Sequence, residues 1–148
     1  MITLHLGSVA TAISKLNISG VPIKDTNQIF VSGKVLLPVL APKPDGYITN
    51  IKPIVDTFGT MGSEQMTVQY VLTYRYYHAA IGQSLSFGTY QVMITNIVTI
   101  MNAVMNNDTV KGATNLRFNG IPIIGPVTDP SGNVYHGCDI GIWIEEYI

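Results

Sequence analysis

The sequence is short of charge. Only 11% of its residues are Asp, Glu, Lys or Arg, against about a quarter in a typical soluble domain. The net charge is -1, so nothing points to nucleic-acid affinity through a basic face. Cysteine is scarce as well. Cys138 stands alone, which excludes an internal disulfide framework. An uninterrupted membrane-length apolar run is also missing. The richest apolar stretch, residues 86–107, carries a polar stripe, is closely flanked by strand-like sequence and lacks a basic cluster to set an orientation, so it is not read as a transmembrane span. The start of the chain shows no basic region followed by an apolar core and a small-residue cleavage site, so no signal peptide is expected. Asn17-Ile18-Ser19 and Asn107-Asp108-Thr109 match the glycosylation pattern and read as chance without a secretory route. There are no repeats and no low-complexity tracts.

What the sequence does have is apolar mass: 47% of 148 residues are hydrophobic. That is enough for one domain with a real core. A surface so poor in charge has two explanations. Other protein covers much of it, in which case the chain is an assembly subunit, or Thr, Asn, Gln and Ser keep it soluble without charge.

Residues 86–107 organise the rest. Phe87, Tyr90, Ile94, Ile97, Val98, Met101, Val104 and Met105 recur at three- and four-residue spacing, which predicts an amphipathic helix with Ser86 as its cap. Its other face carries Gln91, Thr95, Thr99, Asn102 and Asn106, all neutral, and no charged residue lies between Arg75 and Asp108. Such a face suits contact with protein, where charges are costly to desolvate; the alternative is a face that is simply wet and uncharged. Residues 2–16 predict a shorter first helix through Ile2, Leu6, Val9, Ile13 and Leu16. Residues 28–40 are strand-like, with Pro38 marking departure from the sheet interior. Residues 41–65 combine Pro53, Gly59 and Gly62 with turn signals and read as a projecting loop or hairpin arm. Residues 66–78 form the clearest strand, with Met66, Val68, Tyr70, Leu72, Tyr74 and Tyr76 sharing one face. Residues 116–127 read as an irregular edge strand, residues 128–133 as a turn, and residues 134–147 as the last strand. Together these predict a single α+β domain. It has an antiparallel or mixed β-sheet of about four strands, with two helices packed on one face and a projecting arm.

Chemistry is harder to find. His136 and Cys138 share a strand face and would be half a metal site, with His78 or His5 as further ligands, but the four-ligand spacing of a zinc centre is missing. Cys138 has the parity of Ile140, Ile142 and Ile144, so a packing role is preferred to a nucleophilic one. Glu145 and Glu146 are adjacent on a strand and point to opposite faces, which excludes a facing carboxylate pair. Phe58-Gly59-Thr60-Met61-Gly62-Ser63 lacks the Lys-Ser/Thr of a phosphate loop. Tyr70, Tyr74, Tyr76 and Tyr77 beside Arg75 lack the surrounding positive charge of a base-stacking sheet and read as core. No catalytic, cofactor-binding or metal residue is predicted, and the chain is not expected to be an enzyme. Trp143 is the best single interaction anchor, unless the helices cover its face and the isoleucines pack elsewhere.

The layout resembles the small tail-terminator and tail-completion (head–tail joining) proteins of long-tailed bacteriophages. The resemblance rests on the short leading helix, residues 30–40 before Pro42-Lys43-Pro44, and the long strand through Tyr74-Arg75-Tyr76-Tyr77. The helix from Phe87 and the closing run Tyr135-His136-Gly137-Cys138-Asp139-Ile140-Gly141-Ile142-Trp143-Ile144-Glu145-Glu146 complete it. None of these is a diagnostic motif, and no individual functional residue carries over. The resemblance implies a virion structural subunit, assembled in the host cytoplasm. It would form a ring of six copies at the head-proximal end of the tail tube, stopping tube growth and docking to a head–tail connector or head-closure protein. DNA would pass through the ring without specific binding, and no cofactor or membrane is implied. A ring subunit needs two different contact patches. The candidates are Asp45, Tyr47, Phe58, Met61 and Glu64 on the arm, Gln91, Thr95, Thr99 and Asn102 on the helix, and Trp143 with Glu145 on the last strand. The alternatives are another neck, tail-tube or head-closure component, and a small ligand-binding or enzymatic domain.

Overall fold

The computed structural model describes residues 13, 18, 21–23, 37–57, 64–80, 87–106, 114–120 and 122–147. Two long strands form its centre, β3 (Glu64–Ala80) and β6 (Val134–Tyr147), paired antiparallel along nearly their whole length. Each is flanked by two shorter strands. Against β3 lie β1 (Val39–Pro42), opposite residues 74–77, and β2 (Ile48–Thr57), opposite residues 64–72. Against β6 lie β4 (Thr114–Phe118) and β5 (Gly125–Thr128). The result is an open antiparallel sheet of six strands, with α1 (Phe87–Met105) packed on one face.

The period-two pattern explains the core. Val68, Tyr70, Leu72, Tyr74 and Tyr76 from β3 and Cys138, Ile140, Ile142 and Ile144 from β6 fall on one face, where Met93, Ile97, Ile100 and Val104 of α1 cover them. Burial of this apolar surface is the main force holding helix to sheet. On the reverse face a smaller cluster gathers Val39, Ala41, Tyr77, Val127 and Tyr135.

The α+β class is as expected, but several details differ. The sheet has six strands rather than about four, because β2 joins it and residues 116–127 do not form one irregular strand. Instead Gly120 turns the chain at φ 81° and two short strands share the edge of β6. Of the loop or hairpin arm expected over residues 41–65, residues 58–63 lie outside the described residues, and residues 48–57 pair antiparallel with β3 as part of the sheet. β2 joins the sheet from Ile48 onward, and its bulge at Thr49–Lys52, with Asn50 at φ 56°, accommodates the irregularity that Pro53 had suggested. β1 begins just after Pro38, where the strand had been expected to leave the sheet. Of the strand expected over residues 28–40, residues 28–36 lie outside the described residues. Among the described residues one helix is present along its length rather than two; of the first helix expected over residues 2–16 only Ile13 is described, and it is helical and fully buried in the main core.

The phase of α1 is the sharpest correction. Ile97 and Val104 are buried as expected, but Met93 and Ile100 join them in place of Tyr90, Ile94 and Val98, which are exposed. The apolar residues of this helix, from exposed Val92 round to exposed Val98, span roughly two-thirds of its circumference, more than the sheet can cover. Periodicity reveals that the helix is amphipathic without revealing which edge of so wide an arc is pressed inward.

Candidate functional site

α1 presents three lengthwise stripes. Met93, Ile97, Ile100 and Val104 face the sheet. Roughly a quarter-turn round, Tyr90, Ile94 and Val98 form an apolar stripe, with Ile94 50% and Val98 49% exposed. A further quarter-turn, again only roughly, brings Gln91, Thr95, Thr99 and Asn102. Gln91, Thr95 and Asn102 are exposed, whereas Thr99 is half-buried and its hydroxyl donates to the Thr95 carbonyl at 2.8 Å. The helix has no acidic residue in its first turn and no basic residue in its last. An exposed apolar stripe beside a neutral polar one, with no charge on either, loses little on desolvation against protein.

The reverse face of the sheet is a different surface. With the isoleucines under the helix, Trp143 and Glu145 lie on the far side, which answers the question their alternation had left open. The Arg117 guanidinium sits over the Trp143 ring, 4.1 Å from its centroid. Gln69 Nε2 donates to Glu145 Oε2 at 2.8 Å across the β3–β6 ladder. Arg75 grips Asp139 with two bonds, Nε to Oδ1 at 2.7 Å and Nη2 to Oδ2 at 3.1 Å, and its Nη1 donates to the Thr128 carbonyl. The hydrogen bonds to Asp139 hold the Arg75 guanidinium above its ordinary pKa. Arg75, Asp139, Arg117 and Glu145 on this face are thus each engaged within the chain, whereas Lys52, opposite Gln69 on β2, is exposed.

The remaining predicted residues scatter. Asp45 is exposed in the turn before β2 and borders an open cleft of about 440 Å³ lined by Lys43, Pro44, Arg75, Thr128, Asp129 and Pro130. Arg75 and Asp129 face this cleft with their bonding capacity largely used inside the domain. Tyr47 does not project: its ring packs edge-on against Tyr74 at 5.3 Å and their hydroxyls hydrogen-bond at 2.8 Å. Burial, and then the Tyr47 contact, raise the Tyr74 phenol well above its usual pKa. Glu64 opens β3 opposite Thr57. Phe58 and Met61 lie outside the described residues. The structure therefore gathers the helix candidates on one side of the domain and Trp143 with Glu145 on the other, not in one patch.

Sequence reasoning passed over two polar centres. Asp129 anchors the β5–β6 turn with four accepted hydrogen bonds; the turn was legible, but the target of its carboxylate was not. Asn96 reaches from α1 to the Tyr76 hydroxyl, and a lone Asn within an amphipathic repeat gives no sign of what lies beneath it. Among the described residues no group of three or more His, Cys, Asp or Glu is placed to hold a metal, and no helix is long and apolar enough to cross a membrane. No protein-family model matches the chain and no curated protein matches it.

Arg117 and Trp143 offer a local test. Arg117→Ala uncovers the indole, so the fluorescence of the single tryptophan should shift to the red. Stability should change by no more than about 1 kcal/mol, the scale of one exposed cation–π contact. An unshifted spectrum would show that the guanidinium does not shield the ring in solution.

Proposed function

We propose that this chain is a structural subunit of a bacteriophage virion, a tail terminator whose copies close into a ring at the head-proximal end of the tail tube. In this reading the ring stops tube growth and presents a surface to the head connector, and one neighbour in the ring covers the exposed side of α1. The observation that carries the reading is the charge-free helix with Tyr90, Ile94 and Val98 left open beside a neutral polar stripe. The engagement of Arg75 with Asp139, Arg117 with Trp143 and Glu145 with Gln69 on the reverse face supports it, because groups already partnered lose less when a neighbour covers them. The overall chain layout supports the same class.

Light scattering coupled to size-exclusion chromatography, with electron microscopy of the same fractions, tests it. The expected result is a discrete closed ring of about six copies, in keeping with closed point-group assembly. Ile94→Asp, at an exposed position, should leave the melting temperature nearly unchanged while weakening association at least roughly thirtyfold, as for a contact hot spot. Long filaments would favour a tube protein instead, and a monomer at high concentration would remove the subunit reading.

A further inference from the structure

Tyr76 is fully buried between helix and sheet. Its oxygen accepts from Asn96 Nδ2 at 2.9 Å and lies 2.7 Å from His78 Nδ1. A phenol has one hydrogen to donate. With Asn96 donating to the oxygen, the assignment that also satisfies this hydrogen directs it at a lone pair on His78 Nδ1, the imidazole being neutral with its proton on Nε2. His78 is also the extra residue of a bulge in β3: Tyr77 lies opposite Gly137 and Ala79 opposite His136. Bulges re-aim side chains. The chain of contacts runs from a helix residue through a core tyrosine to this bulged histidine, across a helix–sheet contact that is otherwise mainly apolar.

We propose that Asn96, Tyr76 and His78 form a proton-operated latch, which ties α1 to the sheet while His78 is neutral and loosens that helix, with the surface it presents, when His78 takes up a proton. A protonated His78 turns an N–H toward a hydroxyl that was donating to it. The Tyr76 oxygen can then accept from both neighbours, leaving its own hydrogen without an acceptor in the core. Alternatively Asn96 must swing its carbonyl oxygen inward, disturbing its seat in α1. Either outcome weakens a buried polar tie.

The surroundings oppose the charged form. Facing this group from β6 are His136 and Cys138, and from β3 comes Tyr76 itself. α1 brings no charged side chain, and its one ionisable residue, Tyr90, lies on the exposed stripe. No carboxylate contributes to the shift of His78, whose pKa is lowered first by burial and then by His136. Burial also pushes the Tyr76 phenol and the Cys138 thiol up to about 12, so neither supplies a negative charge near neutrality. Because the folded histidine binds its proton less readily than the unfolded one, its contribution is complete above about pH 6.5 and is lost as pH falls through the folded value below that.

Hydrogen exchange of the α1 amides, corrected for intrinsic rate, tests the latch at about pH 8 and about pH 5, either side of the free imidazole range. In the unmodified chain, acid should reduce protection by about fivefold, the worth of one hydrogen bond. His78→Gln should show no such loss. In nuclear magnetic resonance the Asn96 side-chain amide should titrate with the His78 ring, at a midpoint below that of free imidazole. A silent Asn96 amide, or equal acid loss in His78→Gln, overturns the latch. Should His78→Gln not fold, the titration of the unmodified chain decides alone. The link to the presented surface rests on the subunit reading, and light scattering at the same two pH values separates the two. Acid dissociation confined to the unmodified chain supports the link, and an oligomer that persists while α1 loosens overturns it. A monomer at both pH values overturns the subunit reading and leaves the latch standing on exchange and resonance data.

Discussion

Gly137→Ala should lower stability by about 3 kcal/mol or more, at the upper end of what overpacking costs. Gly137 lies where β6 is held on both sides, opposite Tyr77 of β3 and opposite Gly125 of β5. A Cβ there would land on the Tyr76 carbonyl oxygen and come within 2.8 Å of Val127 Cγ2. The side-chain neighbour can move a little, but the carbonyl belongs to the central ladder beside the β3 bulge, and its displacement would misplace Tyr76 and its hydroxyl. Relief therefore requires parting β3 from β6, the pairing on which both clusters of buried residues are built. In a domain of this size the loss corresponds to roughly a 10 °C drop in melting temperature. Thermal unfolding followed by circular dichroism measures it, and a variant melting with the parent would show that the backbone yields more cheaply than its packing implies. Gly125→Ala makes the control, because a Cβ there meets nothing within 4 Å.

Asp129→Ala should cost about 2–4 kcal/mol, the combined effect of several hydrogen bonds to a charged acceptor. Oδ1 accepts from the backbone amides of Ser131 and Asn133, both at 2.9 Å. Oδ2 accepts from Asn133 Nδ2 at 3.2 Å and from the Tyr135 hydroxyl at 2.8 Å. Tyr135 is buried in the cluster on the reverse face, so removal of the carboxylate strands its hydroxyl as well as opening the turn. Gly132, at φ 89°, lets the chain curl round the carboxylate. Burial alone would raise the Asp129 pKa, but the hydrogen bonds from Tyr135, Asn133 and Ser131 outweigh it, and the net shift is downward. The folded value thus lies below the unfolded one, so the stabilisation is complete above about pH 4 and is lost as pH falls through the folded value. Urea unfolding across the acid range should show this slope in the parent and not in Asp129→Asn, which keeps the acceptor for the two backbone amides. The same acid slope in both proteins would assign it to another group.

Strict alternation made β3 and β6 legible, because burial on the helix-covered face selects one parity over a long run: Val68 to Tyr76 on β3 and Cys138 to Ile144 on β6. The turn at residues 128–133 was equally plain, since Asp, Pro, Ser, Gly and Asn favour the local geometry it needs. β2 was read only as part of a projecting loop or hairpin arm because Pro53 and the surrounding irregularity mimic a loop, whereas an outer strand opposite β3 tolerates both. Of the contact candidates on the helix, Gln91, Thr95 and Asn102 lie exposed and Thr99 half-buried. The apolar neighbours Tyr90, Ile94 and Val98, which make that face unusual, had been assigned to the core.

The sequence by itself determined the class of the domain, its two central strands, the helix and its length, the absence of charge along that helix, and the turn built around Asp129. Those features depend on near neighbours or on a repeat that a single segment contains. Only the tertiary structure decided which side of α1 is covered, that Trp143 lies across the sheet from the helix, and that Asn96, Tyr76 and His78 meet. Each of these depends on the rotation of one element against another, and a wide apolar arc or a doubly buried strand is compatible with more than one rotation until the partner surface is in place.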